Sequence, residues 1–212
     1  MNITLFGADG RMGRIFREIA EEHNILAVDK DSIIDYSMDC DVAVDFSVPE
    51  ALDQVLHYCK VKKCPLVHAV TGLDSDQMGK LIEHSKTLPV VHKQNFGQGY
   101  ESFCCCLRQI ATALPTWDCV ILETHKRNKR DKPSGTALEI KKQIENTLAL
   151  SGHGRPIEVL SQRLGQLSGT HAVTFAHEGE SITLKYQTEN PSAFAEGALG
   201  CAVLLLNHKT AD

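Results

Sequence analysis

The chain alternates short apolar runs with longer segments whose apolar residues recur every three or four positions, which predicts strands alternating with amphipathic helices. Ile3 to Phe6 reads as a strand. It is followed by GADGRMG from Gly7 to Gly13 and by a helical pattern through about His23, with Ile15 and Ile19 on one face. Ile25 to Val28 predicts a second strand, ending in Asp29. After an acidic connection from Asp31 to Asp41, strands are predicted at Val42 to Phe46, Leu66 to Val70 and Pro89 to Val91. Between them lie helices over Pro49 to Lys62, with Ala51, Val55 and Cys59 on one stripe, and Ser75 to Thr87, carrying Met78, Leu81 and Ile82. This order predicts a Rossmann-like, doubly wound parallel sheet. Its ligand edge would be the strand C-termini at Gly7, Asp29, Phe46-Ser47, Thr71-Gly72 and Lys93 to Phe96.

The second half of the chain has a different pattern. Gln98 to Leu114 predicts a long helix, with Phe103, Leu107, Ile110 and Leu114 at helical spacing, and Cys119 to Leu122 predicts a buried strand. A helix with Ile140, Ile144 and Leu148 on one face follows, opened by a Thr136-x-x-Glu139 capping-box signature. Ile157 to Gln162, Ala172 to Ala176 and Ser181 to Gln187 predict a mixed, open sheet, joined by Gly165, Gly169 and the His177-Glu178-Gly179-Glu180 turn. Ala195, Leu199, Ala202 and Leu206 line a last helix, expected to pack back on the first domain. The expected division is a dinucleotide-binding domain of residues 1–96 and 193–212, and a smaller α+β domain of residues 97–192.

Composition narrows the class. At 212 residues and 42% hydrophobic, the chain can bury a full core. A net charge of −5 argues against wholesale nucleic-acid binding, because the basic residues are concentrated in one segment. The chain opens directly into a strand and has no apolar stretch of about 18 residues, so neither a signal peptide nor a membrane is expected, and the cytoplasm is the simplest location. Eight cysteines contain no C-x-x-C pair, and Cys104, Cys105 and Cys106 are adjacent inside a helical pattern. They read as small buried apolar residues in a reducing compartment, with no metal site. The ten histidines are dispersed, and only His125 has neighbours that suggest a role.

Two stretches carry chemistry. Strand, glycine turn and helix succeed one another around Gly7, Gly10 and Gly13, the arrangement that lets backbone approach a pyrophosphate at a helix N-terminus. Asp29 stands about where an acid should meet the adenosine ribose hydroxyls, although Asp29 and Lys30 read equally as ordinary loop residues. Lys30 beside it would pair with the extra phosphate of NADPH, so either NADH or NADPH is expected. The second stretch is Glu123 to Ala137, ETHKRNKRDKPSGTA, in which five of the seven residues from Lys126 to Lys132 are basic. Ser134, Gly135 and Thr136 open a helix there, offering hydroxyls and free backbone N–H groups to a small carboxylate or phosphate. His125 and Lys129 could supply proton transfer beside that anion. A solvated basic surface and a nucleic-acid patch are the competing readings of the same run.

Together, GADGRMG, DFS from Asp45 to Ser47, Thr71-Gly72, PVV…NFGQG from Pro89 to Gly99, E-x-H…K-x-D-x-PSGTA from Glu123 to Ala137, R-x-G…G-x-H-x-V-x-F from Arg163 to Phe175, and FAEGA from Phe194 to Ala198 resemble the 4-hydroxy-tetrahydrodipicolinate (dihydrodipicolinate) reductases. The resemblance implies an NADH- or NADPH-dependent reductase of a cyclic dicarboxylate in the diaminopimelate route of lysine biosynthesis, and a homotetramer assembled through the second domain. It implies that His125 is a proton donor and acceptor and Lys129 a second donor, with Gly135 and Thr136 clamping a substrate carboxylate and Lys126 and Ser134 beside them. Cofactor contacts are implied at Gly7, Gly10, Arg11, Met12, Gly13, Asp29, Lys30, Ala69, Val70, Thr71, Lys93, Gln94, Asn95 and Phe96.

The sequence departs from the family pattern in four places. Lys126 stands where a second histidine is usual, Ala69-Val70-Thr71-Gly72 replaces G-T-T-G, Asn95-Phe96-Gly97 replaces N-F-S, and Tyr186 to Pro191 lacks the H-x-A-x-x-R histidine and arginine. The alternatives are another nicotinamide-dependent reductase of the same plan, or a non-catalytic dinucleotide-binding regulatory relative.

Overall fold

The computed structural model describes residues 1–209, and the chain divides into two compact units. Unit 1 comprises Met1–Phe96 together with the chain from Pro191 onward, and unit 2 comprises Gly97–Asn190.

Unit 1 is built on a five-stranded sheet in the order β2-β1-β3-β4-β5, all neighbours parallel. The strands are β1 (Asn2–Phe6), β2 (Asn24–Val28), β3 (Val42–Asp45), β4 (Leu66–His68) and β5 (Val90–His92). Both faces are covered, so β3 is buried throughout and reads as a continuous apolar run ending in Asp45. One face packs Val44 and Val67 with Phe16 of α1 (Arg11–Ile19) and Ala195, Ala198 and Ala202 of α6 (Ser192–Lys209). The opposite face packs Phe6, Ala43 and Leu66 with Leu52, Val55 and Cys59 of α2 (Leu52–Lys62) and Leu81 of α3 (Ser75–Ser85).

Several boundaries differ from the sequence reading. α1 stops at Ile19, four residues before His23. The Pro49 segment begins as a 3₁₀ turn, and β4 ends at His68 rather than Val70. Of the apolar residues that α3 carries, Leu81 is buried and Ile82 is exposed. The capping box of α3 is made by Asp74 and Gln77, whose side chains each accept from the other's backbone N–H.

Unit 2 carries a four-stranded sheet in the order β7-β6-β8-β9. β6 (Asp118–His125) runs parallel to β7 (Glu158–Arg163) and antiparallel to β8 (Thr170–His177), which pairs antiparallel with β9 (Glu180–Gln187). One face of this mixed sheet, with Ile121, Val173 and Phe175, packs on α4 (Gln98–Ala113) and α5 (Gly135–Leu150). Ala137, Ile140, Ile144 and Leu148 form the buried stripe of α5.

Helical periodicity also decides the cysteines. Cys104 faces the core of unit 2, while Cys105 and Cys106 turn outward and are exposed, contrary to the expectation that the whole set is buried. All eight are free thiols. Among the described residues, no helix is long and apolar enough to cross a membrane.

Candidate active site

The apolar run of β6 ends at Leu122, which is where the sequence places the strand end, but backbone pairing continues through His125. Side chains alternate along a strand, so Ile121, Glu123 and His125 share the inner face. Register then brings the partners together. Glu123 lies opposite His171 on β8 and Ser161 on β7, and His125 lies opposite Arg163 on β7.

The result is a polar cluster at the end of an apolar core. Nδ1 of His125 is hydrogen-bonded to the Glu123 carboxylate, which is fully buried, and the Arg163 guanidinium pairs with the other Glu123 oxygen at 2.8 Å. Because the carboxylate accepts, Nδ1 carries the hydrogen, and Nε2 is the nitrogen left for chemistry. Gly169 lies against that nitrogen: a Cβ built there would come within 2.8 Å of it. The ring of His171 meets that of His125 nearly edge-on, with centroids 5.3 Å apart.

Burial shapes the titration of each group. Desolvation lowers His125 below the usual histidine value, and the bond to Glu123 offsets only part of this. Desolvation pushes Glu123 upward, yet the neighbouring Arg163, Ser161 and His125 side chains outweigh it and the carboxyl is held low. His171 is pushed down to about 4, by desolvation first and then by His125. The site therefore holds a carboxylate and two imidazoles that resist protonation.

Beyond β6, the basic loop folds back on this cluster. Lys129 pairs with the Asp131 carboxylate at 2.8 Å, and Arg163 also donates to the Asp131 carbonyl at 2.5 Å. Ser134, not Thr136, is the N-cap of α5, accepting from the Ala137 N–H at 3.2 Å, so the predicted Thr136-x-x-Glu139 capping box does not form. Ser134 is buried, and its hydroxyl also bonds Nε2 of His171 at 3.1 Å. That hydroxyl is thus engaged within the fold, and Gly135 and Thr136 present the first turn of α5. Lys126 is half-buried, and its carbonyl accepts the Lys129 N–H.

In unit 1, the residues expected at a dinucleotide fall on the C-terminal edge of the sheet. Gly7 has φ +73°, and a Cβ there would meet the Phe46 carbonyl oxygen at 2.7 Å; at Gly13 a Cβ would meet the Gly7 carbonyl oxygen at 2.2 Å. Only glycine lets the turn close on both sides. α1 starts after Gly10 with no side-chain cap and no acidic residue in its first turn, so the N–H groups from Arg11 and Met12 onward suit an anionic pyrophosphate. Both oxygens of Asp29 accept the Asp9 N–H, at 3.2 and 3.1 Å, which ties the end of β2 to the glycine turn, and Lys30 beside it is exposed.

Ala69, Val70 and Thr71 follow β4, and Lys93, Gln94, Asn95 and Phe96 follow β5. Asp29 and Lys93 thus stand at opposite ends of this edge, since β2 and β5 are the outer strands. Val70, Asn95 and Phe96 are buried, whereas Thr71 and Gln94 are exposed.

Glu123, Arg163 and His171 are functional-site residues not expected from sequence, although all three lie within the Glu123–Ala137 and Arg163–Phe175 motifs. The alternation Glu123-x-His125 was the available signal, and its meaning depends on which strands flank β6. The expectation that no other histidine has a telling neighbour is also corrected: His171 joins this cluster, and His68 and His92 pair with each other in unit 1.

A doubly wound sheet with a glycine turn, in one chain with a buried acid–base cluster beside cationic residues, defines a dinucleotide-dependent oxidoreductase. The family described as dihydrodipicolinate reductase, N-terminus, matches residues 1–96, and dihydrodipicolinate reductase, C-terminus, matches residues 99–211. The 4-hydroxy-tetrahydrodipicolinate reductase of Thermosipho africanus is 35% identical over 213 residues, covering 99% of this chain and 94% of that protein. That of Clostridium tetani is 32% identical, with 97% and 91% covered. A dipicolinate-bound dihydrodipicolinate reductase from Paenisporosarcina shares the fold at TM-score 0.79 and 20% identity, over 98% of this chain and 95% of that one. The chain belongs to the dihydrodipicolinate reductase family.

Proposed function

We propose that this chain reduces 4-hydroxy-tetrahydrodipicolinate, the compound in its relatives' names, to tetrahydrodipicolinate in the diaminopimelate route to lysine. The observation that carries this reading is the half-buried His125 held by the buried Glu123 carboxylate, beside a cationic loop and the amino end of α5. When bound, the nicotinamide supplies hydride to a carbon conjugated with the substrate imine.

The chain's own residues manage charge and protons. The N–H groups of Gly135 and Thr136 clamp one substrate carboxylate, with Lys126 and Lys129 giving charge opposite the dicarboxylate. Ser134 serves by fixing where α5 begins. The anion raises the imidazole toward its charged form, which burial alone disfavours, and His125 then passes the Nε2 proton to the electron-rich reduced product. Lys129 is the second donor.

NADH or NADPH is the donor: Asp29, tied to the glycine turn through the Asp9 N–H, suits ribose hydroxyls, and the exposed Lys30 beside it suits a 2′-phosphate. The enzyme works in the cytoplasm, in keeping with eight free thiols. A homotetramer is supported by the second face of the unit 2 sheet: Leu122, Leu160 and Ala172 lie there, opposite the face that α4 and α5 cover, and Leu160 is 46% exposed.

The test follows NADH absorbance while a synthase generates substrate from pyruvate and aspartate semialdehyde. Oxidation that depends on the synthase is expected. A chain that binds NADH and leaves it unoxidised would sink the assignment.

A further inference from the structure

Unit 1 contains a second row of buried titratable groups that the proton chemistry does not use. Asp45, His68 and His92 are the last residues of β3, β4 and β5, and the strand register sets them side by side. They share the sheet face that also carries Ala43, Leu66 and Val90, where α2 and α3 bring Leu52, Val55 and Leu81, all apolar. Asp45 and His68 are fully buried, and His92 is half-buried at the outer strand.

The hydrogens along this row can be assigned. Nδ1 of His92 lies 3.1 Å from the His68 carbonyl oxygen, which can only accept, so His92 Nδ1 carries a hydrogen. The same nitrogen lies 3.0 Å from Nδ1 of His68, which is then the acceptor and carries its own hydrogen on Nε2. That Nε2 faces the outer Asp45 oxygen at 3.4 Å, and neither of those two atoms has a hydrogen-bond partner among the described residues. The other Asp45 oxygen accepts the Ser47 N–H at 2.9 Å and its hydroxyl at 2.5 Å.

The row does not stop at Ser47. The Phe46 carbonyl and the Ser47 Cα are the atoms that a Cβ on Gly7 would strike, at 2.7 and 2.8 Å, so the Asp45-held turn is the wall against which the glycine turn closes. A continuous set of contacts therefore joins Gly7, Ser47, Asp45, His68 and His92 across four of the five strand ends. Burying this many polar groups is costly unless each is paired, and three apolar residues would have filled the same volume without that cost. We propose that Asp45, His68 and His92 are positioning residues that hold the strand-end turns of unit 1 in the register a nicotinamide dinucleotide needs. This rests on the dinucleotide reading of that edge.

The test compares NADH dissociation constants, measured by nicotinamide fluorescence, for the full-length parent, His92→Leu and His92→Asn. Asparagine places an amide donor near the position of Nδ1, whereas leucine removes it. His92→Leu should bind NADH roughly tenfold more weakly, with the loss in the KM for NADH rather than in kcat, and His92→Asn should restore binding to within about twofold of the parent. If His92→Leu does not fold, His92→Phe takes its place in the comparison. Parent-like affinity in the apolar variant overturns the proposal, and so does equal weakening by leucine and asparagine. A parent that binds no nicotinamide dinucleotide removes the dinucleotide reading itself, an outcome separate from a parent that binds and variants that match it.

Discussion

Glu123 and His125 stand two residues apart on one face of β6, and the fully buried Glu123 carboxylate accepts the hydrogen on Nδ1 of His125. This bond fixes the tautomer and aims Nε2 outward. Glu123→Gln should lower kcat roughly 100-fold while NADH affinity is unchanged. Glu123 is also what partly offsets the desolvation of His125, so its loss moves the imidazole still lower. The alkaline fall of the pH–rate profile should therefore shift to lower pH. A profile that stays in place with full turnover would show that Glu123 is only structural.

Gly169 meets the same imidazole from β8's approach. A methyl group added there would lie 2.8 Å from Nε2 of His125 and 3.1 Å from its Cδ2, and the ring cannot swing away without breaking its bond to Glu123. Gly169→Ala should cost about 100-fold in kcat, the scale of an ångström's misplacement of a reacting group, with little effect on the melting temperature. Steady-state kinetics beside a thermal melt separates the two effects.

Asp131 competes for the groups that would hold a substrate carboxylate. Desolvation pushes its carboxyl upward, but the bond from Lys129 prevails, with a smaller contribution from the Gly135 backbone, and the carboxyl is held low. In the proposed binding mode, an incoming dicarboxylate displaces it. Asp131→Asn should therefore lower the substrate KM about threefold, the scale of an exposed ion pair, and tighten pyridine-2,6-dicarboxylate by a similar factor. An increased KM would mean that Asp131 orients Lys129 productively.

His171 should make the stability of unit 2 depend on pH. Its folded value near 4 lies below the usual 6.5, so its contribution is fully present above pH 6.5 and is lost as pH falls through 4. The loss is on the order of 3 kcal/mol. Urea unfolding at pH 7, 5.5 and 4 should show it as the difference between the parent and His171→Gln, whose amide can still reach Ser134. Parallel curves for the two proteins would assign the acid sensitivity elsewhere.

Much of this protein was legible in residue order. Alternation of apolar runs and helical stripes determined the parallel sheet of unit 1, because each strand and each helix must hide its own apolar face wherever it sits. Glycines at Gly7 and Gly13 announced a close backbone approach, since no other residue tolerates one. The Lys126 to Lys132 run marked a cationic site.

What only tertiary structure decided is which polar residues stand together. Glu123, Arg163 and His171 come from three strands, and nothing in their spacing states that β6 lies between β7 and β8. The same holds for Asp45, His68 and His92, which are ordinary strand ends until parallel register aligns them. Local pattern is set by neighbours along the chain and so can be read from it. Hydrogen-bonded clusters depend on strand order and register, which the packing of the whole core selects.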